Sequence, residues 1–374
     1  MIPPMQRSSI LLLTCLALFS KASAEVAYEF APNFITPPPG KETIGDGHGE
    51  IAVDSAGNVY VSVQEANAGI QVYGKDGKFI KALSLPASLH GFVIRKVAAG
   101  EFIFAAVLGE SKVIQANLDG SIVMEIPTAS FPAEQRDFVT VSKVKAEDAG
   151  KPKPRTDEIA SGVKIAETKT ELTLKLANGT EKVIAKEPGV RAAGGLKLTN
   201  CDVAPNGDIY VVDGYGKSWI FVFDSKGKFK SVFGGPAEPL KLANAHKIFV
   251  DRRFEPARLM ICDRGHKRML HTSLDGALIG EIATDMRNPS SASFHGDLMC
   301  VAEIAGNVSV WDKEGKRVAD LGTSPQPTNT PGIAPKDWKA GIVTSPHGIT
   351  FDNDGNILET EWNKWGRVLR WNRK

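Results

Sequence analysis

Long apolar runs are scarce in these 374 residues. The longest, Ile10 to Phe19, is about half of the ~20 residues that a membrane-crossing helix needs. Arg7 precedes it and Ala22-Ser23-Ala24 follows, the arrangement of a leader (residues 1–24) removed before Glu25. A secreted or periplasmic chain without a membrane span in its mature form is expected. Cys15 is a poor lipidation site, because Thr14 precedes it and the apolar run continues past it. An excess of charge is missing too: 45 basic residues face 43 acidic ones, and the leader takes two of the basic ones, Arg7 and Lys21. That balance gives no electrostatic grip on nucleic acid or an anionic membrane. Cysteine is sparse. Cys201, Cys262 and Cys300 remain after the leader, and two of them lie in apolar strand patterns, LMICD and LMCVA. Buried free thiols are expected rather than a disulfide framework, and the paired spacing of a Cys/His zinc structure is absent.

What is present is repetition. HGEIAVDSAGNVYVSVQEANAGIQVYGKDGKF from His48 and SPHGITFDNDGNILETEWNKWGRVLRWN at the end share one plan. An apolar strand leads into a polar D-x-x-G-N turn, an alternating second strand, a polar link and a third strand. The plan recurs from Leu198 and Asn244, and in degenerate form from Leu89 and Ser293, giving six units. Within each the period is two and the punctuation is Gly, Asn and Asp, which is strand and turn chemistry. Units of about 40 residues with four short strands predict an all-β, six-bladed β-propeller over residues 25–374. The last unit supplies three strands, and Val26 to Phe30 is the expected fourth, closing the ring and hiding both edges.

Two segments stand outside the repeat. Residues from about 130 to 195 read as a β-rich insertion over one face, with a hairpin turning at Asn178-Gly179. The proline-rich stretch from Thr323 to Gly341 reads as an ordered loop around Trp338. Long loops on a rigid scaffold carry function as often as they cap it.

In a propeller the first strand of each blade lines the central channel. His48, His90, His246, His295 and His347 each read as standing at such a strand entry, before GEIAV, GFVI, KIFV, GDLMC and GITF. One histidine at a strand start is usually structural. Several converging on an axis are natural ligands for a divalent metal, zinc above all, with calcium as the alternative. A second register lies at the end of each second strand: Gln64-Glu65, Asp213-Gly214-Tyr215, Asp263-Arg264, Glu303 and Glu361-Trp362. Its acidic members read chiefly as turn acceptors. Gln64, Glu65, Asp213 and Trp362 are the substrate-binding candidates at the mouth, while the large side chains Tyr215 and Arg264 must point outward or into it.

DGYGKSWIFVFDSKGKF, NAHKIFV, CDRGHKRML and SPHGITFDNDGNI together resemble the NHL-repeat propeller of the peptidyl-α-hydroxyglycine α-amidating lyases. The resemblance spans most of the mature chain at the level of blades. It implies a zinc site of His90, His246 and His347, Tyr215 as base, Arg264 for substrate, and cleavage of a carbinolamide C–N bond. It also meets departures. Gln64 stands where the lyases carry an arginine, Gly348 where an aspartate supports calcium, and Gly216 follows Tyr215 where a cysteine is expected. His295 is expected as a fourth ligand and His48 as structural. Three readings follow: a metal-dependent lyase-like enzyme for a small or peptide-derived substrate, a non-catalytic extracellular propeller for a protein or glycan with a structural metal, and a calcium-dependent sugar-lactone hydrolase drawing on Glu65, Glu303 and Glu361. A monomer is expected in each.

Overall fold

The computed structural model describes residues 26–66, 68–148 and 150–374; the expected leader lies outside them. Six four-stranded antiparallel sheets make six blades, and a seventh, five-stranded sheet is set between the second and third. The innermost strands, in ring order, are Ile51–Val53, Leu89–Val97, Asn200–Val203, Ala245–Asp251, Pro289–His295 and Pro346–Phe351. The protein is an all-β, six-bladed propeller, as the repeat predicts.

The repeat's punctuation has a physical basis. In the first blade Asp54 Oδ1 accepts the backbone N–H groups of Ala56 and Asn58, and Gly57 takes the positive φ of +89° that ends the turn. The same device recurs at Asp224 with Gly227 and at Asp352 with Gly355. Between turns, alternate Val, Ile, Tyr and Phe side chains fill the seams between blades. One seam gathers Val203, Val211, Phe221, Phe223, Phe249 and Met260. Each such side chain, fully buried, contributes about 1.5–3 kcal/mol.

Ring closure follows the expectation. Tyr28–Ala31 pairs antiparallel with the last strand, Val368–Arg373, from Tyr28 opposite Arg373 to Ala31 opposite Arg370. The two chain ends thereby complete blade six and cover its outer edge.

The insertion is a sheet of Phe138–Val144, Thr156–Glu167, Glu171–Lys175, Glu181–Ala185 and Val190–Gly194, with a small core of Val139, Val141, Leu172, Leu174 and Ile184. Its hairpin turns at Asn178-Gly179, where Gly179 has φ +82°. Cys201, Cys262 and Cys300 are buried free thiols. Among the described residues no helix is long and apolar enough to cross a membrane.

The fifth blade corrects the sequence reading. Its inner strand begins at Pro289, not Ser293, and His295 is the last residue of that strand. The His295-Gly296 pair is the turn into the second strand, with Gly296 at φ +56°. A His-Gly dipeptide marks a strand entry in blades one, two and six; here it marks the exit. His295 therefore lies at the far end of the channel, its ring 5.6 Å from Phe351.

Candidate metal centre

Four inner strands open with a β-bulge, and the bulged residues are His90, His246, Ser290 and His347. A bulge leaves one residue outside the ladder and re-aims its side chain. Here it turns three imidazoles toward the axis. His90, His246 and His347 are fully buried, and each ring Nδ1 lies against a backbone carbonyl of the next blade. The partners are Thr199 at 2.8 Å, Ser290 at 2.7 Å and Gly49 at 2.7 Å. A carbonyl only accepts, so each Nδ1 carries the proton and each Nε2 presents a lone pair. Blades two, four and six supply imidazoles; blades three, five and one supply the carbonyls that orient them. This outer support fixes tautomer and ring angle as metal-binding histidines require.

The rings converge. Centroids of His90 and His246 are 5.0 Å apart, those of His246 and His347 4.8 Å, and those of His90 and His347 5.0 Å. His48 joins from blade one, 5.0 Å from His90 and 4.8 Å from His347. One ligand atom each from His48, His90 and His347 lies within 4.8 Å of the other two. The fourth axial histidine is thus His48, expected to be structural, and His295 takes no part.

Tyr215 caps the group. Its hydroxyl is 3.0 Å from His246 Nε2, 3.2 Å from His90 Nε2 and 3.4 Å from His48 Nε2. On the other side of His48, Nδ1 meets the Gln64 amide nitrogen at 3.4 Å. That amide donates, so His48 carries its proton on Nε2 and donates to the phenol oxygen. Tyr215 then has one proton to give, and the lone pairs of His90 and His246 both face it. His347 Nε2 is buried with no hydrogen-bond partner among the described residues. Two lone pairs are left over, and a bound cation would satisfy them.

The electrostatics agree. Burial, with the charges of Lys247 and Arg264 nearby, holds His48 down to about 4 and the other three imidazoles well below their ordinary range. They are neutral imidazoles at neutral pH. Burial raises the Tyr215 phenol, while the Arg264 guanidinium beside it pulls the other way. Arg264 is buried, donates from Nη2 to Ser290 Oγ at 2.9 Å, has an unpartnered Nε, and has no carboxylate partner among the described residues. Beneath the imidazoles the channel is closed by an ion pair, Lys247 Nζ to Glu50 Oε2 at 2.7 Å, both ends buried.

The second register divides. Asp213 accepts the N–H groups of Lys197 and Lys217, Asp263 that of Ala243, Glu303 that of Arg287, and Glu361 that of Thr344. These carboxylates tie each blade's entry loop to its second strand. Asp213 is therefore occupied rather than free for substrate, and Glu303 and Glu361 form no axial calcium set. Glu65 turns to Lys41. Trp362 stays at the mouth, its ring 5.2 Å from His48, and Gln64 supports that histidine. Ser290 and the Lys247–Glu50 pair were missed in the sequence, and His48 was placed on the channel there but read as structural. A bulge has no sequence signature, and a serine in the histidine position is visible only once the strands are aligned in space.

The insertion stands at this same mouth. Lys217 Nζ donates to Thr140 Oγ1 at 3.3 Å, and Phe138 meets Trp219 edge-on at 5.7 Å. The proline-rich loop flanks it on the blade-six side, where Asn363 Nδ2 and Trp338 Nε1 both donate to the Ile333 carbonyl.

Comparison with known proteins agrees with the architecture. The family model described as DUF5128, 6-bladed beta-propeller, matches residues 201–316. No curated protein matches the sequence. Among solved structures the chain is similar to a streptogramin B lyase (14% identity, TM-score 0.51, covering 93% of this chain and 98% of that one). It is similar as well to virginiamycin B lyase from Staphylococcus aureus (14%, 0.50, 93% and 99%) and to a gluconolactonase-like protein (12%, 0.50, 93% and 98%). At these identities the likeness is one of fold.

Proposed function

We propose that the chain is a secreted metal-dependent enzyme, lyase-like in its chemistry, acting on a small or peptide-derived substrate at the histidine-bearing mouth. His90, His246 and His347 would hold zinc. The observation that carries the reading is the orphaned Nε2 of His347, set among oriented imidazole lone pairs with too few protons between them. Zinc, when bound, supplies a Lewis acid that polarises a substrate oxygen. Arg264, buried without a counter-charge, receives an anionic group of the substrate. Tyr215, hydrogen-bonded among the imidazoles and beside Arg264, would take a proton as the phenolate that the Arg264 charge favours, once its own proton has left as zinc binds. In the carbinolamide cleavage of the amidating lyases that the sequence resembles, the hydroxyl proton passes to the base and the C–O bond becomes a carbonyl. The C–N bond breaks, its electron pair goes to nitrogen, and the base returns the proton to that nitrogen, releasing an amide and an aldehyde.

The test is metal analysis of protein purified without added metal or an affinity tag. One zinc per chain is expected, and none in His347→Ala. No metal in the wild type, with none reloaded from a zinc buffer, overturns the reading. A second reading, a non-catalytic propeller that captures a protein or glycan around a structural metal, draws support from the insertion sheet packed against Lys217 and Trp219, a few residues along the chain from Tyr215. Under it, deleting the insertion abolishes capture and Tyr215→Phe is harmless.

A further inference from the structure

The channel has a second mouth, and the Lys247–Glu50 pair separates it from the imidazoles. Glu50 Oε2 accepts from Lys247 Nζ and Ser291 Oγ, and Oε1 accepts from the Ile51 and Ile349 N–H groups. Beyond this floor lies a cavity of about 360 Å³. That is within the roughly 300–1,000 Å³ range of small-molecule sites. Ile51, Val93, Val250, Ala292 and Ile349 give its lining an apolar part.

Its rim carries three arginines, Arg95, Arg252 and Arg253. Two are neutralised. Arg95 makes a two-point pair with Asp202, at 2.7 and 2.8 Å, and Arg253 does the same with Asp251, at 2.9 and 2.7 Å. Arg252 has no such partner. Its one hydrogen bond among the described residues runs from Nη2 to the Val203 carbonyl at 2.8 Å, leaving four of a guanidinium's five donors free. Nor is Asp202 available to share. Beyond Arg95, its Oδ1 accepts the Val203 N–H and its Oδ2 the Val250 N–H. Lys247 is matched by Glu50 in the floor. The rim therefore carries three arginines against the two aspartates that pair with them, one positive charge in excess, over a pocket whose wall is part apolar and part polar, with Glu50, Ser293 and Thr350 in its lining.

We propose that this second mouth is a binding site for a small organic monoanion, a carboxylate carried on a compact apolar body. The guanidinium fork of Arg252 matches a carboxylate through two parallel hydrogen bonds. A single free arginine suits one negative charge rather than the two of a phosphate monoester. The apolar part of the wall takes the body of the ligand. This site shares none of the four imidazoles, and its occupancy does not depend on metal.

Benzoate tests it, titrated calorimetrically into the metal-free full chain, with benzyl alcohol as the uncharged counterpart. The expected result is one benzoate per chain and at least tenfold weaker benzyl alcohol. Arg252→Gln, an exposed change that leaves the fold intact by circular dichroism, should weaken benzoate about tenfold, roughly 1.4 kcal/mol. Ala292→Leu, which fills the cavity, should weaken it as well, and Arg264→Gln at the opposite mouth should not. Absence of benzoate binding overturns the proposal, as does equal affinity in Arg252→Gln. Loss in Arg264→Gln with Arg252→Gln unaffected places the anion at the metal centre and overturns it too.

Discussion

Replacing Glu50 by Gln tests how the channel is closed. Lys247 is fully buried and Glu50 nearly so, and their contact at 2.7 Å is the ammonium's one ion pair among the described residues. Its other neighbours are the carbonyls of His347 and Gly49, at 3.4 and 3.5 Å. Glutamine keeps one oxygen for the Ile51 and Ile349 N–H groups. It then points an amide N–H₂ at an ammonium, donor against donor, while the Ser291 hydroxyl turns to accept. Removing one partner of a buried pair costs about 3–5 kcal/mol because the other charge is stranded. The Glu50→Gln/Lys247→Met double variant strands nothing and should recover most of that loss, since apolar replacement of a buried pair is close to neutral. Urea unfolding of the metal-free forms reads both numbers. A single-variant loss under about 1 kcal/mol, or a double variant whose loss equals the sum of the two singles, would refute the view that this pair is a desolvated, mutually dependent plug.

Four further outcomes are expected. Gly348→Ala should destabilise by about 1–3 kcal/mol, because its Cβ would stand 2.5 Å from Glu50 Oε1, 2.7 Å from Glu50 Cα and 2.9 Å from the Gly49 carbonyl; differential scanning calorimetry reads it. Asp251, despite its burial, is held down to about 2 by hydrogen bonds from His271 and Arg253. A depressed carboxylate stabilises above its unfolded value of 3.8, so the wild type's advantage over Asp251→Asn should shrink by about 2 kcal/mol between pH 5 and pH 2, read by urea unfolding at each pH. Tyr215→Phe should leave zinc content unchanged in mass spectrometry and lower turnover at least 100-fold; a variant as active as the wild type excludes the phenol as base. Burial pushes the Cys262 thiol up to about 12, and those of Cys201 and Cys300 upward as well. Ellman's reagent should therefore find none of the three in the native protein and all three in 6 M guanidinium.

The architecture was legible in the sequence because a propeller repeats its local physics. Asp54, Asp224 and Asp352 each build the same Asx turn with a glycine at positive φ, and the alternation between turns can only be strand. Ring closure by residues near 28 followed from counting strands, since an unpaired edge would otherwise remain. The convergence of His90, His246 and His347 was also within reach, because they open the same strand of three blades.

What tertiary structure alone decided is which side chains face the axis. His295 and His347 both precede glycine and both sit beside a short apolar strand. One opens the strand and one closes it, and only pairing across the sheet separates them. The bulges that turn His90, His246 and His347 inward, the carbonyls of neighbouring blades that fix their tautomers, and the reach of Glu50 across the ring to Lys247 join residues 44 to 298 positions apart. Such contacts follow from ring geometry and have no local signal. The sequence determined that histidines gather on this channel; the closed ring determined which lone pairs meet there, and that an ion pair divides the channel beneath them.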